Sequence, residues 1–487
     1  MSVALVAIPQ SMAYAELAGM PAQYGLFAAA LPAVAAALFV SSRYLQTGPA
    51  ALTALLTFGA LSTLALPAST EYIGLAALLA LLVGALRVVL GLLRIGQVAY
   101  LLSEPVLLGF TTGAAVLIVA SQIPRLVDAH ADGRGVMVDA ALAVGDPAAW
   151  QWSSLGFAAA TAGIVLAGRR LHRLFPGVLV AVLAAIVVSG VTGFQGATLG
   201  RLDGGFLHAN LRFPWGSTPE LLVPAFAIAL VGFAEPASIG RTFAAEERLP
   251  WDANREMISQ GVANVASALS GSFPVGGSFA RSSLNRLAGA TSPWAGAITG
   301  LVVTATLPLT PLLRDLPRAV LAAIVVVAVI NLIKVRDLGI LIGRSRGQGV
   351  VAVATMAATI GFSPRVERGV LAGIVLALAV HLYRELSVSA TSQRVGTVLT
   401  VAPQGVLWFA TVPSVERVIR EALADQPGLT GVRVDLGGVG RLDYTGAAEL
   451  GRFAEQLADA GVDVEIVNVP PGARRAIAAH FPDRLVS

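Results

Sequence analysis

Apolar runs suited to crossing a bilayer recur along this chain, and they decide what it can become. "LAALLALLVGALRVVLGLL" (Leu75–Leu93), "LFPGVLVAVLAAIVVSGV" (Leu174–Val191) and "LAAIVVVAVINLI" (Leu321–Ile333) are three of them. A hydrocarbon core takes about 20 helical residues to span. Inside it every backbone N–H and C=O needs a partner within the protein, so such runs form helices rather than open strands. Only 13% of the 487 residues are charged, against about 25% in ordinary globular domains. Most of the chain is therefore expected in lipid. Met1 runs straight into "SVALVAI" with no charged start or cleavage site. An incomplete first span, with a cytosolic leader missing, is the expectation there.

The chain has no cysteine, which excludes disulfides and thiolate metal sites. Its net charge of +4 is spread over the whole length, and 32 of its 33 basic residues are Arg. That distribution reads as loop topology, not as a nucleic-acid footprint.

Composition changes near residue 390. Residues 390–487 hold 20 of the 62 Asp, Glu, Lys and Arg residues. There "TVLTVAPQGVLWFA" reads as strands, "SVERVIREALADQ" as an amphipathic helix and "LTGVRVDLGG" as a strand. "AAELGRFAEQLADAG" and "VDVEIVNV" follow as helix and strand. A small α/β domain is expected, joined through a linker at Ser387–Arg394.

Residues 1–389 divide into about fourteen spans at the length a bilayer demands. The basic clusters "GRRLHR" (Gly168–Arg173), "GRTFAAEER" (Gly240–Arg248) and "KVRDLGILIGRSR" (Lys334–Arg346) fall on the cytoplasmic side if the count is even and the start is cytoplasmic. The loops "IPRLVDAHADGRG" and "GATLGRLDGGFLHANLRFPWGS" then fall outside, and the tail inside.

Two breaks interrupt short apolar stretches. In "SSRYLQTGPAALTALL" (Ser41–Leu56), Gly48 and Pro49 precede a segment too short to cross alone, with a helix expected from Pro49. In "SGSFPVGGSFARSSLNRLAGA" (Ser270–Ala290), Pro274, Gly276 and Gly277 do the same. Matched breaks in the two halves, residues 1–195 and 219–389, point to a site built on inverted repeats. Gly48–Ala51 (with Pro49 and Ala50) and Gly277–Arg281 (with Ser278, Phe279 and Ala280) would be its edges. A half-helix start exposes unpaired N–H groups and a positive dipole end, which together suit an anion. Kinks in packed helices are the plainer alternative for each break taken alone.

Several polar residues lie at membrane depth. Glu235, in "VPAFAIALVGFAEPASIG", is a candidate holder of a proton or sodium ion, or else an interfacial glutamate near Arg241. Arg281 either supports the anion or faces a cytoplasmic cavity. Gln10 and Tyr14, four apart on one helical face, serve either a ligand or span packing. Glu16 is expected at the outer end of its span, merely solvated. In the tail, Asp443 and Thr445 of "RLDYTGAAEL" read first as a helix N-cap, with a regulatory phosphorylation site as the sharper alternative.

These stretches resemble a known family. "PQSMAYAELAGMPAQYGLFAAALP", "TGPAALTALL", "FPVGGSFARSSLN" and the tail's "LDYTG" occur in the order of the SulP/sulfate permease family (solute carrier family 26). The tail is similar to a STAS domain. The resemblance implies an all-α polytopic membrane domain of fourteen spans in two inverted seven-span repeats, arranged as core and gate, plus a small α/β STAS domain. It implies an anion site on Gln10, Tyr14, Ala50, Ala51, Phe279 and Ala280, with Arg281 at a basic position and Glu235 at the coupling position. Ala280 stands where many members carry a hydroxyl, so backbone N–H groups must hold more of the anion. Tyr444 stands where a small residue is usual, which weakens the case for phosphorylation.

The expected function is therefore secondary transport of a small anion, of the dicarboxylate, sulfate or bicarbonate class, by alternating access. Protons, less so sodium, are the expected coupling ion through Glu235, with no cofactor and no metal. The expected setting is a bacterial inner membrane, with a homodimeric assembly and a cytoplasmic tail free for protein contacts. An anion channel, a nucleobase permease of the same fold and a membrane signalling scaffold are the rivals. No catalytic triad, metal-ligand cluster or phosphate loop suggests an enzyme.

Overall fold

The computed structural model describes residues 2–97, 103–129, 135–172, 175–200, 202, 209–385 and 389–481. Arg173, Leu174, Ser387 and parts of both loops expected outside lie beyond the described residues. The chain divides into two compact units, residues 1–377 and 378–487.

The first unit is helical. Its elements are α1 (Ser2–Leu17), α2 (Gln23–Ala37), α3 (Ala51–Leu61), α4 (Thr70–Leu92), α5 (Glu104–Val127), α6 (Val136–Gly145), α7 (Trp152–Leu171) and α8 (Gly177–Thr192). There follow α9 (Thr218–Glu247), α10 (Ala253–Leu269), α11 (Phe279–Leu287), α12 (Trp294–Thr306), α13 (Arg318–Val329), α14 (Val335–Arg344), α15 (Arg346–Gly361) and α16 (Val366–Glu385), which runs on past residue 377; two-residue strands β1 (Thr47–Gly48) and β2 (Gly276–Gly277) precede α3 and α11. Among the described residues, six helical segments are long and apolar enough to cross a membrane, and five apolar helices are shorter. At 1.5 Å per residue, α3 (11 residues) and α11 (9 residues) cannot cross alone.

Small residues set the packing. A Cβ on Gly25 of α2 would come within 1.9 Å of the Ser11 carbonyl oxygen of α1, and one on Gly109 of α5 within 2.1 Å of that of Ala352 on α15. Such approach is how apolar helices associate where lipid is as oily as their side chains. Two packed groups result. One holds α1–α4 with α9–α12; the other holds α5–α8 with α13–α15. Helix α1 also touches α8 and α13 of the second group. Gly19 ends α1 with φ +77°, where a side chain would be strained and would meet the Tyr72 ring.

The second unit is α/β. It holds β3 (Ser389–Val395), β4 (Val398–Leu407), α17 (Val412–Asp425), β5 (Gly431–Asp435), β6 (Val439–Leu442), α18 (Tyr444–Asp459), β7 (Asp463–Val467) and α19 (Arg474–His480). The sheet order is β3-β4-β5-β7, with β6 paired to β4; β3 runs antiparallel to β4 and the other pairings are parallel. Val401, Val434 and Ile466 of the sheet bury against Ile419 of α17 and Phe453 of α18. Ser389–Arg394, read above as linker, belong instead to strand β3. Its polar residues are nearly all exposed on an edge strand, so burial leaves no mark on them.

Candidate anion site

The two breaks meet. Thr47–Gly48 (β1) and Gly276–Gly277 (β2) form a short antiparallel pair, Thr47 opposite Gly277 and Gly48 opposite Gly276. From this crossing α3 and α11 start. Helix α3 begins at Ala51, two residues beyond the expected Pro49. The Pro49 carbonyl is used otherwise: it accepts from Arg281 Nη2 at 2.6 Å. Ala50 holds the N-cap position in extended conformation, and its methyl group offers no acceptor to the first-turn N–H groups of α3.

At α11, Ser278 is the N-cap. The Phe279 N–H, first in the helix, donates to Glu235 Oε1 at 3.1 Å. A carboxylate from α9 thus meets the positive end of α11, as an anion at a helix start should. Arg281 is buried, 3% exposed, and lies within electrostatic range of Tyr14 and Glu235. Its Nε has no hydrogen-bond partner among the described residues. Gln10 and Tyr14 are buried on α1, which packs against both α3 and α11. Ala50 and Ala51 are buried, whereas Phe279 and Ala280 are exposed, and the Phe279 ring lies 6.0 Å from that of Phe243. The structure therefore gathers α1, both half-helix starts, Glu235 and Arg281 around one crossing.

A polar stripe on α10 holds that crossing and was not singled out from the sequence. Gln260 Nε2 donates to Thr47 Oγ1 at 2.8 Å. Asn264 binds both backbone groups of Val275, donating to its carbonyl at 3.0 Å and accepting its N–H at 2.9 Å. Ser267 donates to the Phe273 carbonyl at 2.6 Å. Glu256, Gln260, Asn264 and Ser267 recur at three- or four-residue spacing in "EMISQGVANVAS", a readable signal of one helical face. Arg87, inside the apolar run Leu75–Leu93, was also missed. It is fully buried and donates to the carbonyls of Ala229, Val275 and Ile228.

Glu16 corrects an expectation. It is not merely solvated: its carboxylate lies 3.7 Å from Arg125 Nη1 and 3.6 Å from Arg318 Nε, with its side chain 11% exposed. The fold brings the end of α1 against α5 and α13, which the local sequence does not disclose. In the second unit, Asp443 caps α18 by accepting the Gly446 N–H at 2.6 Å, and Thr445 donates to Asp443 Oδ2 at 3.0 Å. Among the described residues no cluster of His, Cys, Asp and Glu could hold a metal ion.

The chain matches the sulfate permease family over residues 1–355 and the STAS domain over residues 389–481. A probable sulfate transporter of Mycobacterium tuberculosis is 33% identical over 391 residues, covering 79% of this chain and 69% of that protein. Human solute carrier family 26 member 6 is 29% identical over 417 residues, covering 79% and 54%. The murine solute carrier 26 family member A9 anion transporter, solved in the inward-facing state, aligns at a TM-score of 0.90 and 22% identity, covering 99% of this chain and 88% of that one. That likeness speaks for the fold. The relatives are named as transporters, not enzymes. With the paired half-helices and the STAS-like tail in place, the chain belongs to the sulfate permease family, solute carrier family 26, as a multi-pass membrane transporter of small anions.

Proposed function

We propose that this chain is a secondary active transporter that carries a small anion together with a proton by alternating access. The relatives' names favour sulfate within the dicarboxylate, sulfate and bicarbonate class. One observation carries the reading: the Glu235 carboxylate sits on the Phe279 N–H at the start of α11, beside the buried Arg281. An ionised Glu235 occupies a donor that a substrate anion needs, and repels that anion. Protonation makes it a poorer acceptor and removes the repulsion. Proton and anion then load together. The anion takes the freed N–H groups of α3 and α11, with Gln10, Tyr14 and Ser278 around it. Sodium at Glu235 is the lesser alternative.

In this reading the group α1–α4 with α9–α12 carries the site past the other group. The membrane part, expected from the sequence to end at residue 389, where β3 already begins, consists of fourteen spans in two inverted repeats. The STAS domain, residues 390–487, is cytoplasmic, and the protein works as a homodimer in a bacterial inner membrane. The test is uptake of a panel of radiolabelled anions into proteoliposomes, with and without an inward proton gradient. Uphill accumulation driven by the gradient is expected. Flux that only equilibrates the anion would point to a channel, and competition by uracil alone to a nucleobase carrier; either outcome overturns the proposal.

A further inference from the structure

Arg87 stands out among the charges at membrane depth. It is 0% exposed, and among the described residues it pairs with no carboxylate. Its three contacts are carbonyls: Ala229 at 3.1 Å and Ile228 at 2.9 Å on α9, and Val275 at 3.1 Å beside β2. A Cβ on Gly232 would come within 2.6 Å of Nη2, so the guanidinium lies against α9 one turn before Glu235. Val275 lies four residues before Phe279, a path of at most about 14 Å of extended chain. The charge is therefore fixed on the segment that leads into α11 and on the helix that supplies Glu235.

Holding carbonyls does not require a cation. Asn264, a neutral donor, bonds the same Val275 carbonyl at 3.0 Å. An unpaired guanidinium at this depth is expensive, and such residues mark function. We infer that Arg87 is a positioning residue whose fixed charge sets the site's preference for doubly charged over singly charged anions. The inference rests on the transport reading above. The charge count shows why. With Glu235 protonated, Arg87 and Arg281 together carry +2, which a dianion such as sulfate neutralises. Without Arg87 the loaded site matches a monoanion.

The test compares KM and maximal rate for sulfate and for chloride in proteoliposomes, for wild type, Arg87→Gln and Arg87→Lys, each checked for folding by its melting temperature and a monodisperse profile. A unit charge about 10 Å away, at an effective dielectric constant of about 20, shifts a dianion's affinity about tenfold more than a monoanion's. Arg87→Gln should therefore raise the sulfate KM about tenfold more than the chloride KM, while Arg87→Lys keeps the wild-type ratio. Equal losses for both anions in Arg87→Gln would reduce Arg87 to a structural brace and overturn the inference. Should that variant not fold, Arg87→Lys decides alone: a ratio shifted toward chloride refutes the role of charge. Absence of both activities in wild type would instead refute the transport reading.

Discussion

Glu235 accepts the Phe279 N–H at 3.1 Å, so α11 begins on a carboxylate supplied by α9. The same carboxylate is in electrostatic range of Arg281, which in turn reaches across to the Pro49 carbonyl ahead of α3. One acidic side chain thereby senses both half-helices. Glu235→Gln keeps the shape and an acceptor for Phe279 but fixes the charge at zero. The mutant should still bind anion, with affinity equal to or above wild type, yet lose accumulation driven by an acidic exterior. Uptake at symmetric pH and with the outside acidic separates the two effects. Full acid-stimulated accumulation in the mutant would remove Glu235 from coupling.

Ala280 and Ala51 test where the anion sits. Both stand in the first turn of a half-helix, but Ala51 is 8% exposed while Ala280 is exposed. Ala280→Trp should fold normally and lower uptake by about 100-fold, the scale of loss when bound groups are displaced. Ala51→Trp should lose stability as well, by about 1–3 kcal/mol from overpacking. Unchanged uptake by well-folded Ala280→Trp would move the site elsewhere.

Much of this site could be read along the chain, because its signals are local. Glycine and proline punctuate the breaks at Gly48–Pro49 and Pro274–Gly277, and a carboxylate in an apolar run draws notice to Glu235. What stayed hidden depends on partners far away in sequence. Arg87 looks like one arginine in an oily helix until the carbonyls 141, 142 and 188 residues later close around it. Asn264 and Gln260 look like tolerated polar residues until they hold Val275 and Thr47. The start of α3 was misplaced by two residues because Pro49 suits a first helical position, whereas here its carbonyl serves Arg281. Strands β4, β5 and β7 were legible from their apolar residues, whereas exposed β3 and the four-residue β6 show no apolar alternation and were not read.

The STAS domain has no part in holding the anion in this scheme. Removal of residues 389–487 should leave anion binding by the purified membrane part intact, although rate or assembly can fall. Complete loss of binding in a well-folded truncation would contradict this. Within the domain, Asp443→Ala removes the cap of α18 and should destabilise it by about 1 kcal/mol. Thr445→Glu keeps that cap, so its effect on transport should be smaller than that of the deletion.

The last expectation concerns Glu16, which joins the two packed groups of helices. It lies on α1, whereas Arg125 and Arg318 lie on α5 and α13. Arg125 Nη2 also donates to the Glu16 carbonyl at 3.3 Å. Both arginines are well exposed, at 38% and 51%, so each pair contributes only about 0.2–1 kcal/mol. Global stability should hardly change in Glu16→Gln. Under the proposed alternating access the balance between two shapes is more sensitive, since about 1.4 kcal/mol shifts a two-state ratio tenfold. Loss of the charge should favour separation of the groups at this end of the bundle. The cavity beside Glu16 is lined by Leu199, which is 8% exposed. Because the chain has no cysteine, Leu199→Cys provides a single reporter. Its labelling by a membrane-impermeant maleimide should quicken several-fold when Glu16→Gln is added. An unchanged labelling rate would mean that these ion pairs decorate the contact without holding it closed.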